Sequence, residues 1–183
     1  MKKIVIVLLC LLFSHNINLS NNISYIKIMK VANVINTSKV IDTNTKYKLL
    51  LERLEHHESR GKSRIVNKYG CMGLFQFKES TLRYLGFKVS LEEFRKDPNH
   101  FPEWQQRKAA LKLLEVNKQL LGSVIDKFDG KIVNGIRITE SGILAAAALA
   151  GHGGVKKYFE KGSNRKDGFG TSIEDMLTRF SDI

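Results

Sequence analysis

At 183 residues, with 43% hydrophobic and 26% charged side chains, the chain is neither low-complexity nor fibrous, and it is long enough for one compact domain with a real core. Its 30 Lys and Arg against 18 Asp and Glu give a net charge of +12, which concentrates the protein near polyanions such as nucleic acid or the carboxylates and phosphates of a cell envelope. Cys10 and Cys71 exclude a disulfide scaffold, because Cys10 lies in an N-terminal apolar run whose removal leaves Cys71 alone.

Lys2 and Lys3 precede an unbroken apolar run from Ile4 to Phe13, and a polar, Asn-rich stretch follows to Ser24, which is the order of a secretory signal. The run is about half of the ~20 apolar residues that span a bilayer. Residues 1–24 are therefore expected to be a cleaved export peptide with no stable membrane span, and the protein to be periplasmic or secreted. Val7-Leu8-Leu9 lacks the small residue that a lipoprotein signal places before its cysteine, here Cys10. An exported protein meets the envelope first, so no nucleic acid partner is expected despite the Lys- and Arg-bearing helix that begins near Pro102.

Residues 25–45, rich in Asn, Ile, Val and Lys without a clear period, read as an N-terminal arm or linker, and 46–183 as one domain. From Tyr47, Leu49, Leu50, Leu51 and Leu54 have the spacing that lays one face of a helix on a core, with Glu58 at or just past its last turn. Ser59–Ser63 reads as a loop, Gly73–Phe77 as a short strand or extended turn, and Lys78–Leu85 as a helix ended by Gly86. Ser90-Leu91-Glu92-Glu93 has capping-box spacing and starts a helix that stops before Pro98. Pro102 suits the first position of the longest helix, to about Leu121, with Trp104, Leu111, Leu114 and Leu121 as its apolar residues. Asn134-Gly135 between Ile132-Val133 and Ile136-Arg137-Ile138 predicts a β-hairpin, because that pair accepts positive φ. A helix from Glu140 to Ala150, the break Gly151-His152-Gly153-Gly154, a helix from Val155 to about Lys161 and a last helix capped by Thr171-Ser172-Ile173-Glu174 complete a mainly α chain with a minor β element.

Around Glu58 the sequence reads His56-His57-Glu58-Ser59-Arg60-Gly61, and after a short loop Gly70-Cys71-Met72-Gly73-Leu74-Phe75-Gln76-Phe77. This resembles the catalytic core of soluble lytic transglycosylases and goose-type lysozymes, members of the lysozyme-like superfamily, in which a helix ends in Glu-Ser and Gly-x-Met-Gly-Leu-x-Gln-hydrophobic follows a loop. Leu144–Gly151 resembles the Ala-Tyr-Asn-Ala-Gly segment of the same proteins, with Ala148 and Leu149 where Tyr and Asn stand. Ile138–Gly142 and Gly168–Ser172 resemble a phage-type and bacterial subgroup, so the likeness runs from roughly Leu50 to Phe180. It implies a mainly α, α+β lysozyme-like catalytic domain over 46–183 that cleaves the β-1,4 bond between N-acetylmuramic acid and N-acetylglucosamine. Its partners would be peptidoglycan glycan strands, with a cell-envelope complex compatible and no cofactor implied. Glu58 would be the catalytic residue, and Ser59, Met72 and Gln76 would bind substrate, Gln76 through an N-acetyl group. Gly70 and Gly73 would bring backbone close to the sugar, or serve only as turn residues. His152 is the candidate to replace the absent Tyr.

A general acid at neutral pH needs a carboxyl whose pKa is raised from about 4.3 toward 6 or above, which burial against apolar groups provides. Leu54 and Leu74-Phe75-Phe77 are the expected wall. Hydrolysing glycosidases use two carboxylates, whereas the transglycosylases use one glutamate as acid and then base. No Asp or Glu follows Glu58 in the loop before Gly70, which favours the single-acid route and leaves Glu79 and Glu140 as candidates for a second carboxylate. Hydrolysis of the same bond, or glycan binding without catalysis, remain the alternatives. His56 and His57, being adjacent on a helix, point in different directions, so no metal site is expected.

Overall fold

The computed structural model describes residues 45–183. The export peptide expected over 1–24 and the arm expected over 25–45 lie outside the described residues, except for Thr45, which is already helical. Contacts gather Thr45–Ile183 into one unit.

The first helix, α1, covers 45–59. Leu50 and Leu54 are its buried apolar residues, 0% and 2% exposed, while Leu49 lies off that face at 40%. Positions 50, 54 and 58 are successive steps of four along one helix face, so the apolar stripe leads directly to Glu58. Arg60 and Gly61, with φ of 54° and 76°, end the helix.

Next come α2, Glu79–Tyr84, and α3, Leu91–Lys96, the latter with the Ser90–Glu93 capping box in place. A single 3₁₀ turn, Pro98–His100, leads to α4, Glu103–Leu120, with Pro102 one position before the expected one, as the N-cap. The buried stripe of α4 is Gln106, Ala109, Ala110, Leu114 and Asn117. Trp104 and Leu111, expected on the apolar face, are 65% and 40% exposed. The helix turns instead on Gln106, whose amide is fully used: Oε1 accepts from the Leu74 N–H at 2.6 Å, and Nε2 donates to the Phe101 and Ser63 carbonyls at 2.6 and 3.0 Å. A polar residue can hold a core position when every hydrogen-bonding group has a partner. Gly73 is required by that contact, since a Cβ there would lie 2.3 Å from Gln106 Oε1.

Helix α5, Gly122–Phe128, was not expected; no side chain caps it, so it leaves no sequence signal. Strands β1, Ile132–Val133, and β2, Ile136–Arg137, pair antiparallel in the register Ile132↔Arg137 and Val133↔Ile136 around Asn134-Gly135. The span α6, Glu140–Lys161, is two helices: Gly151, at φ 70° and ψ 161°, breaks it where the glycine cluster was expected to, so each half is shorter than α4. Helix α7, Ile173–Arg179, is capped by Ser172 with Asp175, one residue later than the expected Thr171 with Glu174.

Two buried clusters form the core. One joins Leu50 and Leu54 of α1 to α6 and α7; the other gathers Met72, Phe77, Leu82, Phe94 and Phe101. Leu51 and Phe75 pack against both clusters, and the cleft containing Glu58 opens where they meet.

Candidate active site

Glu58 reaches the cleft because the stripe of α1 carries it there. The cleft, of about 640 Å³, is lined by Leu51 and Leu54 from α1, Phe75 to Phe77 from the turn, and Ala147 to His152 from α6. Burial pushes the Glu58 carboxyl up to about 7, and the negative charge of Asp167 adds to the rise. This is the desolvation by an apolar wall that a general acid requires. Also lining the cleft, the methyl and isobutyl groups of Ala148 and Leu149 offer Glu58 no hydrogen bond.

The motif residues divide between the cleft and the scaffold behind it. Gln76 lines the cleft in a left-handed conformation, φ 48°, held by its own Nε2 donating to the Gly73 carbonyl at 2.7 Å. His152 also lines the cleft and is exposed, just past the break at Gly151. Met72 does not line it. Its side chain is fully buried in the second cluster, and its backbone bridges to Val66 and Phe77, which folds the turn that presents Gln76. Ser59 is 6% exposed and donates back to the Glu55 carbonyl at 3.2 Å, so it closes the last turn of α1 and does not face the cleft.

The second carboxylate in the cleft is neither of the two expected. Glu79 accepts from the Leu91 N–H at 3.0 Å and from Arg83 at 2.9 Å. Glu140 accepts from the Tyr47 hydroxyl at 2.6 Å and pairs with Lys118 at 2.8 Å. Both are engaged elsewhere and neither lines the cleft. Asp167 does, from the loop between α6 and α7. His56 and His57 lie apart, beside Arg179 and Phe180; burial lowers the pKa of His57, and Arg179 lowers it further.

The loop of Asp167 repeats a construction already present at Asn67. Asn67 Oδ1 accepts the N–H groups of Tyr69 and Cys71 at 2.8 and 3.0 Å, and Asp167 Oδ1 accepts those of Phe169 and Thr171, both at 2.9 Å. Each loop is closed by a backbone bridge, Val66↔Met72 in one and Lys166↔Ser172 in the other, and each has a glycine of positive φ at its fourth position, Gly70 at 74° and Gly170 at 91°. The shared pattern Asn/Asp-x-aromatic-Gly is the signal that would have drawn attention to Asp167. It also explains the shifted cap, because Thr171 is tied into the loop and leaves Ser172 to start α7.

The transglycosylase SLT domain matches the chain over residues 38–168, well over half its length. The chain belongs to this family. Comparison with curated proteins found no match, and neither did comparison with solved structures. Members of the SLT family are lytic transglycosylases that act on peptidoglycan, and the mainly α architecture with one small hairpin is the lysozyme-like fold expected of them. In this SLT domain the departures at Ala148 and Leu149 fall on the cleft wall, facing the same space as Glu58. Among the described residues no helix is long and apolar enough to cross a membrane.

Proposed function

We propose that this SLT domain cleaves the β-1,4 bond between N-acetylmuramic acid and N-acetylglucosamine, with Glu58 as acid and then base. The observation that carries this reading is a carboxyl held at about 7 in the cleft between the two cores. At that value Glu58 is substantially protonated at neutral pH, and its conjugate base is strong enough to take a proton back. In the first step Glu58 gives its proton to the glycosidic oxygen and the C1–O bond breaks. In the second the muramyl C6 hydroxyl oxygen attacks C1, and its proton returns to Glu58. The product is a 1,6-anhydro end, and no water enters.

Gln76 and His152 stand on the cleft surface as hydrogen-bonding groups for the sugar, His152 in place of the Tyr that Ala148 replaces. Ser59 and Met72 act from behind by fixing the end of α1 and the Gln76 turn. The basic surface and the signal-like N-terminus support action outside the cytoplasm, on the envelope.

Glu58→Gln is the test. It keeps the side chain's size and removes the proton, so clearing of purified cell walls should fall by at least ~100-fold. Retention of more than about a tenth of the wild-type rate would reject Glu58 as the acid, and a wild-type protein that clears no walls would leave glycan binding alone.

Asp167 supports a second reading, because hydrolysis needs a carboxylate to activate water and this one shares the cleft. Product mass separates the two: anhydro ends are lighter than reducing ends by one water.

A further inference from the structure

The two loops that carry Asn67 and Asp167 meet at their aromatic tips. Tyr69 and Phe169 are 49% and 62% exposed, yet their rings contact edge to face at 5.2 Å and 81°. The Tyr69 hydroxyl donates to the Gly168 carbonyl at 2.8 Å, and its ring lies so close to Gly168 that a Cβ there would sit 2.6 Å from it. Lys68 Nζ stands 5.1 Å from the centre of the Tyr69 ring and 5.4 Å from that of Phe169, and it forms no ion pair among the described residues. Both rings line the cleft that holds Glu58. Two more cations that form no ion pair among the described residues, Arg165 and Lys166, also line it.

Exposed aromatic area is costly in water, and here it is fixed in place by both loops before any ligand arrives. A rigid amphipathic surface of this kind binds at low entropic cost. The faces of such rings take the apolar C–H face of a pyranose. The cation held over these rings selects for a sugar that carries an acid, and in a strand of alternating N-acetylglucosamine and N-acetylmuramic acid only the muramyl unit does, through its lactyl ether.

We propose that Lys68, Tyr69 and Phe169 form a subsite for a muramyl residue, the rings taking the sugar and Lys68 the carboxylate borne on the lactyl group. That carboxylate is the free lactyl acid in peptide-free strands, or an acid of the attached peptide. The subsite deepens the function proposed above and rests on it for the identity of the glycan.

Calorimetric titration of the full chain tests this, in a Glu58→Gln background so that the probe is not consumed. Three probes of equal length are used: a neutral chitooligosaccharide, a peptide-free peptidoglycan oligosaccharide and a peptide-bearing one. Both acidic probes should bind more tightly than the neutral one. Phe169→Ala removes an exposed ring and should weaken all three by roughly tenfold, as an aromatic contact of about 1.4 kcal/mol would. Gly168→Ala displaces Tyr69 without deleting a ring and should act in the same direction. Lys68→Gln should weaken only the acidic probes, by up to about fivefold, the range of an exposed charge pair. A loss larger for the peptide-free probe identifies the lactyl acid, and one larger for the peptide-bearing probe identifies the peptide. Equal affinity for neutral and acidic probes, or unchanged affinity in Phe169→Ala and Gly168→Ala with the fold intact by circular dichroism, would overturn the subsite. Failure of Glu58 as the acid would appear in wall clearing and leave the ranking of these variants unaffected.

Discussion

The loops at Asn67 and Asp167 close with the same hydrogen bonds, one with an amide oxygen and the other with a carboxylate oxygen. Each accepts from the residues two and four positions on, at 2.8 and 3.0 Å in the first loop and 2.9 and 2.9 Å in the second. Each is closed by a bridge and turned by a glycine of positive φ. Because Asn67 completes this geometry without a charge, the geometry does not require one. The charge of Asp167 is therefore free to act on something else, and it acts on Glu58, whose pKa it raises beyond what burial achieves. A turn residue and an electrostatic residue are here the same side chain, and comparison with its neutral counterpart separates the two roles.

The largest effect expected on stability concerns the group that receives the charge. Glu58 has a folded pKa of about 7, above its ordinary value of 4.5. The unfolded chain therefore binds fewer protons than the folded one between those values, and stability falls as pH rises from about 4.5 to about 7. Glu58→Gln carries no such cost. The variant should be more stable than the wild type by up to about 3 kcal/mol at pH 8 and equal to it near pH 4. Thermal melts at the two pH values read this difference, and a variant with no advantage at pH 8 would mean that Glu58 is not desolvated. Asp167→Ala ranks next. It strands the Phe169 and Thr171 N–H groups and removes the charge together. These groups can partly turn to water, so a loss of roughly 1–2 kcal/mol is expected, with weaker glycan binding as Phe169 loses its support. A melt unchanged by this substitution would show that the side chain does not hold the loop.

Much of the site was legible because it follows helix periodicity. Leu50, Leu54 and Glu58 share a face by spacing alone, and Asn134-Gly135, Gly151 and the Ser90–Glu93 box each act through the backbone within a few residues. What was missed depends on partners distant in sequence. Met72 was read as cleft lining, but its neighbour Gly73 is clamped by Gln106 of α4, and this turns the methionine into the core. Trp104 was read as buried because it is apolar, yet the paired amide of Gln106 took the inward position. Asp167 went unnoticed because it lies in a loop and its meaning depends on Glu58, which lies in a helix far off in sequence. Only the likeness between Asn67-Lys68-Tyr69-Gly70 and Asp167-Gly168-Phe169-Gly170 pointed to it locally.

The smallest effect in free energy is the most specific. Asp167→Asn should leave the second loop closed as Asn67 closes the first, so the melt should move by no more than a few tenths of a kcal/mol. Glu58 should then lose the neighbour that disfavours its ionised form, and its pKa should fall below about 7 while staying above 4.5, because burial is the larger cause. A general acid is active while protonated, so the alkaline limb of the pH–rate profile of wall clearing should move to lower pH. Combining Asp167→Asn with Asn67→Asp keeps the net charge and both loops but moves the carboxylate to the other loop. If the limb is set by total charge, the double variant will match the wild type. If it is set by the position of Asp167 beside Glu58, the double variant will differ from the wild type while melting at the same temperature. An alkaline limb that stays in place in Asp167→Asn, with the loop intact, would reduce Asp167 to the same purely structural role that Asn67 has.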